Sequence, residues 1–322
     1  MGSGIAAHLA NLGFTVTLLD QTADSARAGW ERAKAIRPPH LYEPSFADRV
    51  RIGGLDEGLA WIPESDWVCE AIIEKLDAKR DLLAKIEPLL RPDALVSTNT
   101  SGLEIALLLE GRSPEFRRKF VGTHFFNPPR YLKLLELIPT PETDPAILSH
   151  YIEFLENQAG RRVVLAKDTP GFIANRYGMW SMFLATHVAE RLHLTIEGVD
   201  AITGPFLGRP RSGSFRLNDL VGMDIMLDIA QNLQARCIND PHMATLDAPQ
   251  TIRHLMEVGH LGAKAGAGYY KKEGKELLCL DLATKAYRQQ LPVEYPSLQQ
   301  FGKLPLGERL REALKANDEV GE

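Results

Sequence analysis

A histidine at the end of one apolar segment and a glutamate inside the next form the pair whose chemistry stands out. Gly122-Thr123-His124-Phe125-Phe126-Asn127-Pro128-Pro129 is followed closely by Leu134-Leu135-Glu136-Leu137-Ile138. Glu136 has apolar neighbours on both sides, and an unpaired carboxylate is costly to bury. It needs a partner, and His124 is the candidate. A carboxylate on one imidazole nitrogen fixes the tautomer and raises basicity, leaving the other nitrogen to take a proton. A structural His–Glu pair within a sheet would use the same residues, and their types alone leave both readings open.

A second polar cluster, Ser97-Thr98-Asn99-Thr100-Ser101-Gly102, sits at the C-terminal end of an apolar segment. In open α/β sheets ligands bind outside those strand ends. The same stretch also reads as a strand-to-helix loop with Thr100 or Ser101 as helix cap, and the two roles are compatible. A third pair lies near the start. Gly2 opens a small-residue helical stretch, and eighteen residues later Asp20 ends the run TVTLLD. A helix N-terminus offers unpaired N–H groups to a pyrophosphate. An acid about that far beyond the glycines accepts hydrogen bonds from a ribose and repels a 2′-phosphate, which selects NAD over NADP. The full G-x-G-x-x-G is not present: the sequence opens where its third glycine would stand.

These residues need elements to position them, and the pattern supplies them. Helix is expected from Gly4 to Leu12 and from Ala23, over Asp77–Glu87, and over Leu103–Leu109. Strands are expected at Thr15–Asp20, near Val50–Ile52, and at Trp67–Ile73, Ala94–Thr98 and Phe120–Phe125. The alternation predicts a parallel sheet covered by helices on both faces. Lys133–Ile138 and Arg162–Ala166, flanking a helix over Pro145–Gln158, complete it. Helical patterns then dominate: Phe172–Leu192, Ile196–Thr203, Leu220–Ala235 and Pro249–Val258. The reading is an α/β Rossmann-type, doubly wound, mainly parallel domain over residues 1–167, then a mainly α-helical substrate and dimerisation domain over 168–275. Residues 276–322 read as a charged extension ending in an amphipathic segment, Glu308–Leu314.

Composition narrows the class. The 322 residues are 25% charged and 44% hydrophobic, with a formal net charge of -5, so no basic bias points to nucleic acid or anionic membrane. Cys69, Cys237 and Cys279 have no metal-ligand spacing, which suits a reducing compartment. No apolar run approaches membrane-spanning length and no signal pattern opens the sequence. A soluble cytoplasmic protein with neither metal nor integral membrane segment is expected.

NTSGL, GTHFFNPP with its downstream LLELI, KDTPGFIANR and KAGAGYYK together resemble, in order and spacing, the 3-hydroxyacyl-CoA dehydrogenase family. The opening MGSGIAAHLANLGFTVTLLD is similar to that family's pyrophosphate loop and ribose strand. The likeness covers roughly residues 1–272. The form HFFNPPRYLKLLELIPTPET looks like the bacterial multifunctional β-oxidation branch, in which the unit is joined to an enoyl-CoA hydratase in a longer protein.

The resemblance implies NAD-dependent oxidation of (S)-3-hydroxyacyl-CoA to 3-ketoacyl-CoA. His124 would be the general base, taking the 3-hydroxyl proton as hydride leaves C3, and Glu136 would orient it. Ser101 and Asn175 would hydrogen-bond the substrate oxygen, and Asn127 would lie by the nicotinamide end. Glu74 and Lys79 would contact cofactor ribose and phosphate, with Gly2, Asp20 and Ser101 completing the cofactor set. Lys264 would close over the cofactor from the helical domain, whose members commonly pair two subunits. Met179, Trp180, Met182 and Phe183 read as domain core rather than acyl-binding surface.

The family normally has a strand and a G-x-G turn ahead of the residue that stands here as Met1. The sequence as given is therefore expected to be incomplete at its N-terminus and at its C-terminus. The strands carrying Asp20 and Glu74 are expected to lack their shared neighbour, leaving the chain poorly soluble or binding NAD feebly. Two alternatives stay open: a related NAD-dependent dehydrogenase of free hydroxy or sugar acids, and a cofactor-poor remnant with a binding or structural role.

Overall fold

In the computed structural model, which describes residues 1–321, the chain divides into two compact units, Met1–Ile173 and one that begins at Ala174. The first unit opens with helix α1 (Gly2–Asn11), strand β1 (Val16–Asp20), helix α2 (Ala23–Ala35) and strand β2 (Val50–Gly54). The Thr22 hydroxyl accepts from Ser25 N (3.1 Å) and caps α2. β1 and β2 run parallel, with Val16 opposite Val50 and Asp20 opposite Gly54.

A separate five-stranded sheet follows: β3 (Trp67–Glu70), β4 (Leu95–Thr98), β5 (Phe120–Phe125), β6 (Leu134–Ile138) and β7 (Arg162–Leu165), hydrogen-bonded in that order. Every pair is parallel except β5–β6. Only eight residues join β5 to β6, too few for a crossover, so the chain reverses. β4 and β5 are buried throughout, as their apolar runs require.

β1 and β3 belong to different sheets, and α1 packs on both. Its Ile5 joins a core with Leu95, Val121, Phe125 and Leu135, while Ala6, Ala7 and Ala10 pack with Trp30 and Val50. The expectation of a buried strand at Thr15–Asp20 needs correction. Thr17 and Asp20 are exposed and the rest of β1 is half-buried, because β2 is its one strand neighbour among the described residues. β3 is also shorter than the expected Trp67–Ile73. It ends at Glu70, whose carboxylate accepts Ile72 N (2.6 Å) and turns the chain out of the sheet.

The second unit contains helices Ala174–Arg191, Ile196–Thr203, Phe215–Val221, Met223–Arg236 and Gln250–Glu257. They enclose a core that includes Met179, Met182, Phe183, Ile196, Phe215, Met226, Ile252 and Leu255. The single helix expected over Leu220–Ala235 is two, broken at Gly222, whose φ of +98° lies outside the helical region. The residues from Tyr270 into the expected charged extension carry strands that the sequence reading did not include. They form an antiparallel sheet of β8 (Tyr270–Glu273), β9 (Glu276–Leu280) and β10 (Tyr287–Gln289). Gly274 (φ +61°) makes the first turn, and Cys279 and Leu280 enter the core. β9 shows no alternation, its burial rising from exposed Glu276 to buried Cys279 and Leu280. Among the described residues no helix is long and apolar enough to cross a membrane, and no group of three His, Cys, Asp or Glu is placed to hold a metal.

Candidate active site

The antiparallel reversal between β5 and β6 puts His124 directly opposite Glu136. His124 Nδ1 lies 2.7 Å from Glu136 Oε2. Both residues are buried, at 4% and 1% exposure. The other carboxylate oxygen, Oε1, accepts Ile173 N at 2.9 Å, so the carboxylate is held from two sides. Phe126 and Phe172 flank the imidazole, with ring centroids 4.7 and 5.7 Å away. A carboxylate on Nδ1 makes Nε2 the position that can accept a proton. The pair suits general-base chemistry in a setting with little water to compete.

The loop after β4 is tied to Glu74, which follows β3. Glu74 Oε1 accepts Ser101 N (2.9 Å), Gly102 N (2.8 Å) and the Thr100 hydroxyl. Burial opposes its charge, but the Thr100 hydroxyl, Lys79 and the Gly102 and Ser101 amides outweigh it and hold the carboxyl below the usual carboxylate range. From the same loop, Asn99 Oδ1 accepts Phe125 N (2.9 Å), next to His124. Glu74 thus fixes the Ser101 loop at the carboxyl ends of β3 and β4, and Asn99 ties that loop to Phe125, beside His124 on β5.

Two sequence expectations change here. Lys79 was expected to meet cofactor ribose or phosphate, but it is fully buried. Its ammonium is 2.9 and 3.0 Å from the two Glu70 oxygens and 3.3 Å from Glu74, so it presents no charge at the surface. The expected capping by Thr100 or Ser101 is also replaced. The helix Ile105–Leu108 is capped from a distance by Asp168, whose oxygens accept Ile105 N (2.6 Å) and Ala106 N (2.8 Å). Thr100 contributes at the loop instead, its hydroxyl accepting Leu103 N at 3.3 Å. Burial pushes the Asp168 carboxyl up, against those two amide bonds.

Gly2 begins α1, whose N-terminus has no side-chain cap. A Cβ at Gly2 would meet nothing closer than Ala71 at 3.8 Å and Leu18 at 3.9 Å. Asp20 ends β1 with an exposed carboxylate that accepts Gln21 N at 2.7 Å. An uncapped helix start and an exposed acid at the next strand's end fit the pyrophosphate and ribose of NAD. Asn127 is exposed in the loop after β5.

In the second unit, Asn175 stands in the first turn of Ala174–Arg191 and is half-buried. Lys264 lies in a short turn with its ammonium 2.6 Å from both oxygens of Asp224. Met179, Met182 and Phe183 are core, and Trp180 packs against it half-buried. Sequence reasoning missed Glu70 and treated Asp168 only as a boundary. A lone acid inside WVCEAII was the available signal for Glu70, by the same argument that singled out Glu136.

Comparisons with known proteins identify the family. Residues 1–169 match the model of the 3-hydroxyacyl-CoA dehydrogenase NAD binding domain, and residues 171–272 match that of the same family's C-terminal domain. A protein of Deinococcus radiodurans named a probable 3-hydroxyacyl-CoA dehydrogenase is 43% identical over 283 residues, covering 86% of this chain and 81% of the relative. One of Bacillus subtilis with the same name is 38% identical over 320 residues, covering 93% of this chain but 40% of the relative. The crystal structure of Mycobacterium tuberculosis FadB2 superposes with a TM-score of 0.70 at 28% identity, covering 85% of this chain and 95% of that one. The chain therefore belongs to the 3-hydroxyacyl-CoA dehydrogenase family of NAD-dependent oxidoreductases.

Proposed function

We propose that this chain oxidises (S)-3-hydroxyacyl-CoA thioesters to 3-ketoacyl-CoA in the cytoplasm, as a step of fatty acid β-oxidation. The buried His124–Glu136 pair carries the reading, because a carboxylate-held imidazole is a competent base for a secondary alcohol. NAD, when bound, supplies the hydride acceptor. His124 takes the 3-hydroxyl proton at Nε2 as the C3–H bond breaks, so the hydroxyl becomes a carbonyl. Glu136 stabilises the resulting imidazolium and keeps the ring from turning.

Ser101 hydrogen-bonds the substrate oxygen and holds it in line, which removes orientational entropy from the step; Asn175 is proposed as a further substrate contact. Gly2 and Asp20 hold pyrophosphate and adenosine ribose. Glu74 fixes the loop that carries Ser101, Asn127 lies by the nicotinamide end, and Lys264 is proposed as a further cofactor contact. The names borne by the D. radiodurans and B. subtilis relatives support a CoA thioester as substrate. The test is NADH consumption with acetoacetyl-CoA, set beside NADH formation from free 3-hydroxybutyrate. The proposal expects turnover of the thioester and little of the free acid. Preference for the free acid would overturn it.

A further inference from the structure

Outside the His124–Glu136 pair, the first unit holds one further ion pair whose two side chains are both almost wholly buried among the described residues, that of Glu70 and Lys79. Glu70 ends β3 and is 3% exposed; Lys79, on the helix Leu76–Ile86, is fully buried. A buried ion pair is weak evidence for stability, since its desolvation cost rivals its attraction. What distinguishes this pair is where its remaining contacts lead.

Glu70 Oε1 accepts Ile72 N (2.6 Å), and Oε2 accepts the Thr98 hydroxyl (2.5 Å). The Thr98 oxygen in turn accepts Thr100 N at 3.3 Å. That is one arm from Glu70 to the loop after β4. The second arm runs through Lys79, whose ammonium meets both Glu70 oxygens and Glu74 Oε2. Glu74 Oε1 then gathers the Thr100 hydroxyl and the Ser101 and Gly102 amides. A third contact, Asn99 N to the Glu70 carbonyl (2.7 Å), fixes the root of the same loop. Both arms converge on residues 98–102.

We infer that Glu70 is a positioning residue for the reaction. Through Lys79 and Thr98 it clamps the loop that presents Ser101, and it touches neither substrate nor cofactor. The inference rests on the reading of Ser101 as a substrate-orienting residue. It also accounts for a lysine being buried at the carboxyl edge of the sheet. One ammonium shared by two carboxylates holds Glu74 at a fixed height, so that its other oxygen meets the Ser101 and Gly102 amides. Charge-assisted bonds of this kind are short and directional, as a loop held within a fraction of an ångström requires.

The test uses Glu70→Gln, the double variant Glu70→Gln/Lys79→Met, and Glu74→Gln. Glu70→Gln alone strands a buried ammonium and can destabilise the unit. The double variant removes both charges and keeps the volume, so one of the two remains measurable. The expected result is a fall in kcat with acetoacetyl-CoA of about ten- to a hundredfold, as for a reacting group displaced by about an ångström. KM for the thioester should stay within about twofold while Ser101 and Gly102 amide hydrogen exchange speeds up about tenfold.

Combining Glu70→Gln with Glu74→Gln should lower kcat by clearly less than the product of the single losses, because both act on one loop. Folded variants with wild-type kcat and unchanged exchange at 101 and 102, or losses that multiply, would overturn the inference. If the wild-type chain does not turn over acetoacetyl-CoA, the functional reading fails. The exchange measurement then decides the clamp alone.

Discussion

His124 and Glu136 stand directly opposite each other across the antiparallel pair β5–β6, and each Glu136 oxygen has its own partner. Oε2 meets His124 Nδ1 at 2.7 Å, and Oε1 accepts Ile173 N at 2.9 Å. The second bond matters because a carboxylate free to rotate would let the imidazole turn with it. Glu136→Gln keeps an acceptor for Ile173 but gives His124 a neutral amide. We expect kcat to fall about ten- to a hundredfold with little change in thermal stability. Glu136→Ala should lose more activity and also melt earlier, because Ile173 N then has no acceptor. Equal kcat in wild type and Glu136→Gln would remove the glutamate from the proton step.

Cofactor choice should follow Asp20. Its exposed carboxylate at the end of β1 repels a 2′-phosphate, so kcat/KM with NAD should exceed that with NADP strongly. Asp20→Ser or Asp20→Ala should narrow the difference chiefly by admitting NADP. Near-equal use of both cofactors by the wild-type chain would count against Asp20 as the ribose ligand.

His8 in the first unit and Asp219 in the second should contribute to acid stability with opposite sign. Burial lowers the His8 imidazole to about 4, although its bond to the Ala159 carbonyl (2.8 Å) opposes this. Between about pH 6.5 and 4 the unfolded chain therefore binds the proton that the fold refuses, and the first unit loses stability as pH falls. Asp219 is the reverse. Burial raises its carboxyl to about 6, although the Tyr270 and Tyr269 amides oppose this. From about pH 4 to 6 the folded form holds the extra proton, so the second unit loses stability as pH rises. Each effect is on the order of 3 kcal/mol. Hydrogen exchange resolved by unit between pH 4 and 7, compared between wild type and His8→Gln or Asp219→Asn, measures both, and slopes left unchanged by these substitutions would contradict the assignment. His8→Gln should flatten the first slope alone.

Legibility in the sequence followed how local each signal was. The His124–Glu136 pair could be read because apolar flanks on both sides of Glu136 demand a partner and a nearby strand end supplies one. The same argument applied to Glu70 would have found its ion pair with Lys79, but Glu70 lay in a run taken whole as strand. Its carboxylate is what ends that strand, by accepting Ile72 N. Asp168 was invisible as a cap because it reaches Ile105 and Ala106 across more than sixty residues, whereas capping rules scan only the residues just before a helix. The β8–β10 sheet was hidden by charge. Lys271, Lys272 and Glu273 alternate poorly with their neighbours, and Cys279 and Leu280, adjacent and so on opposite faces of β9, are both buried, which leaves no period-two pattern to read.

The central claim is that His124 is the base. Its most direct test is kcat for acetoacetyl-CoA reduction by His124→Gln, measured with NADH affinity by fluorescence titration on the same sample. A histidine placed at the substrate should leave NADH affinity within about twofold while turnover falls at least about a hundredfold, the lower end of general acid–base contributions. A folded His124→Gln protein that keeps most of its activity would show that the proton goes elsewhere.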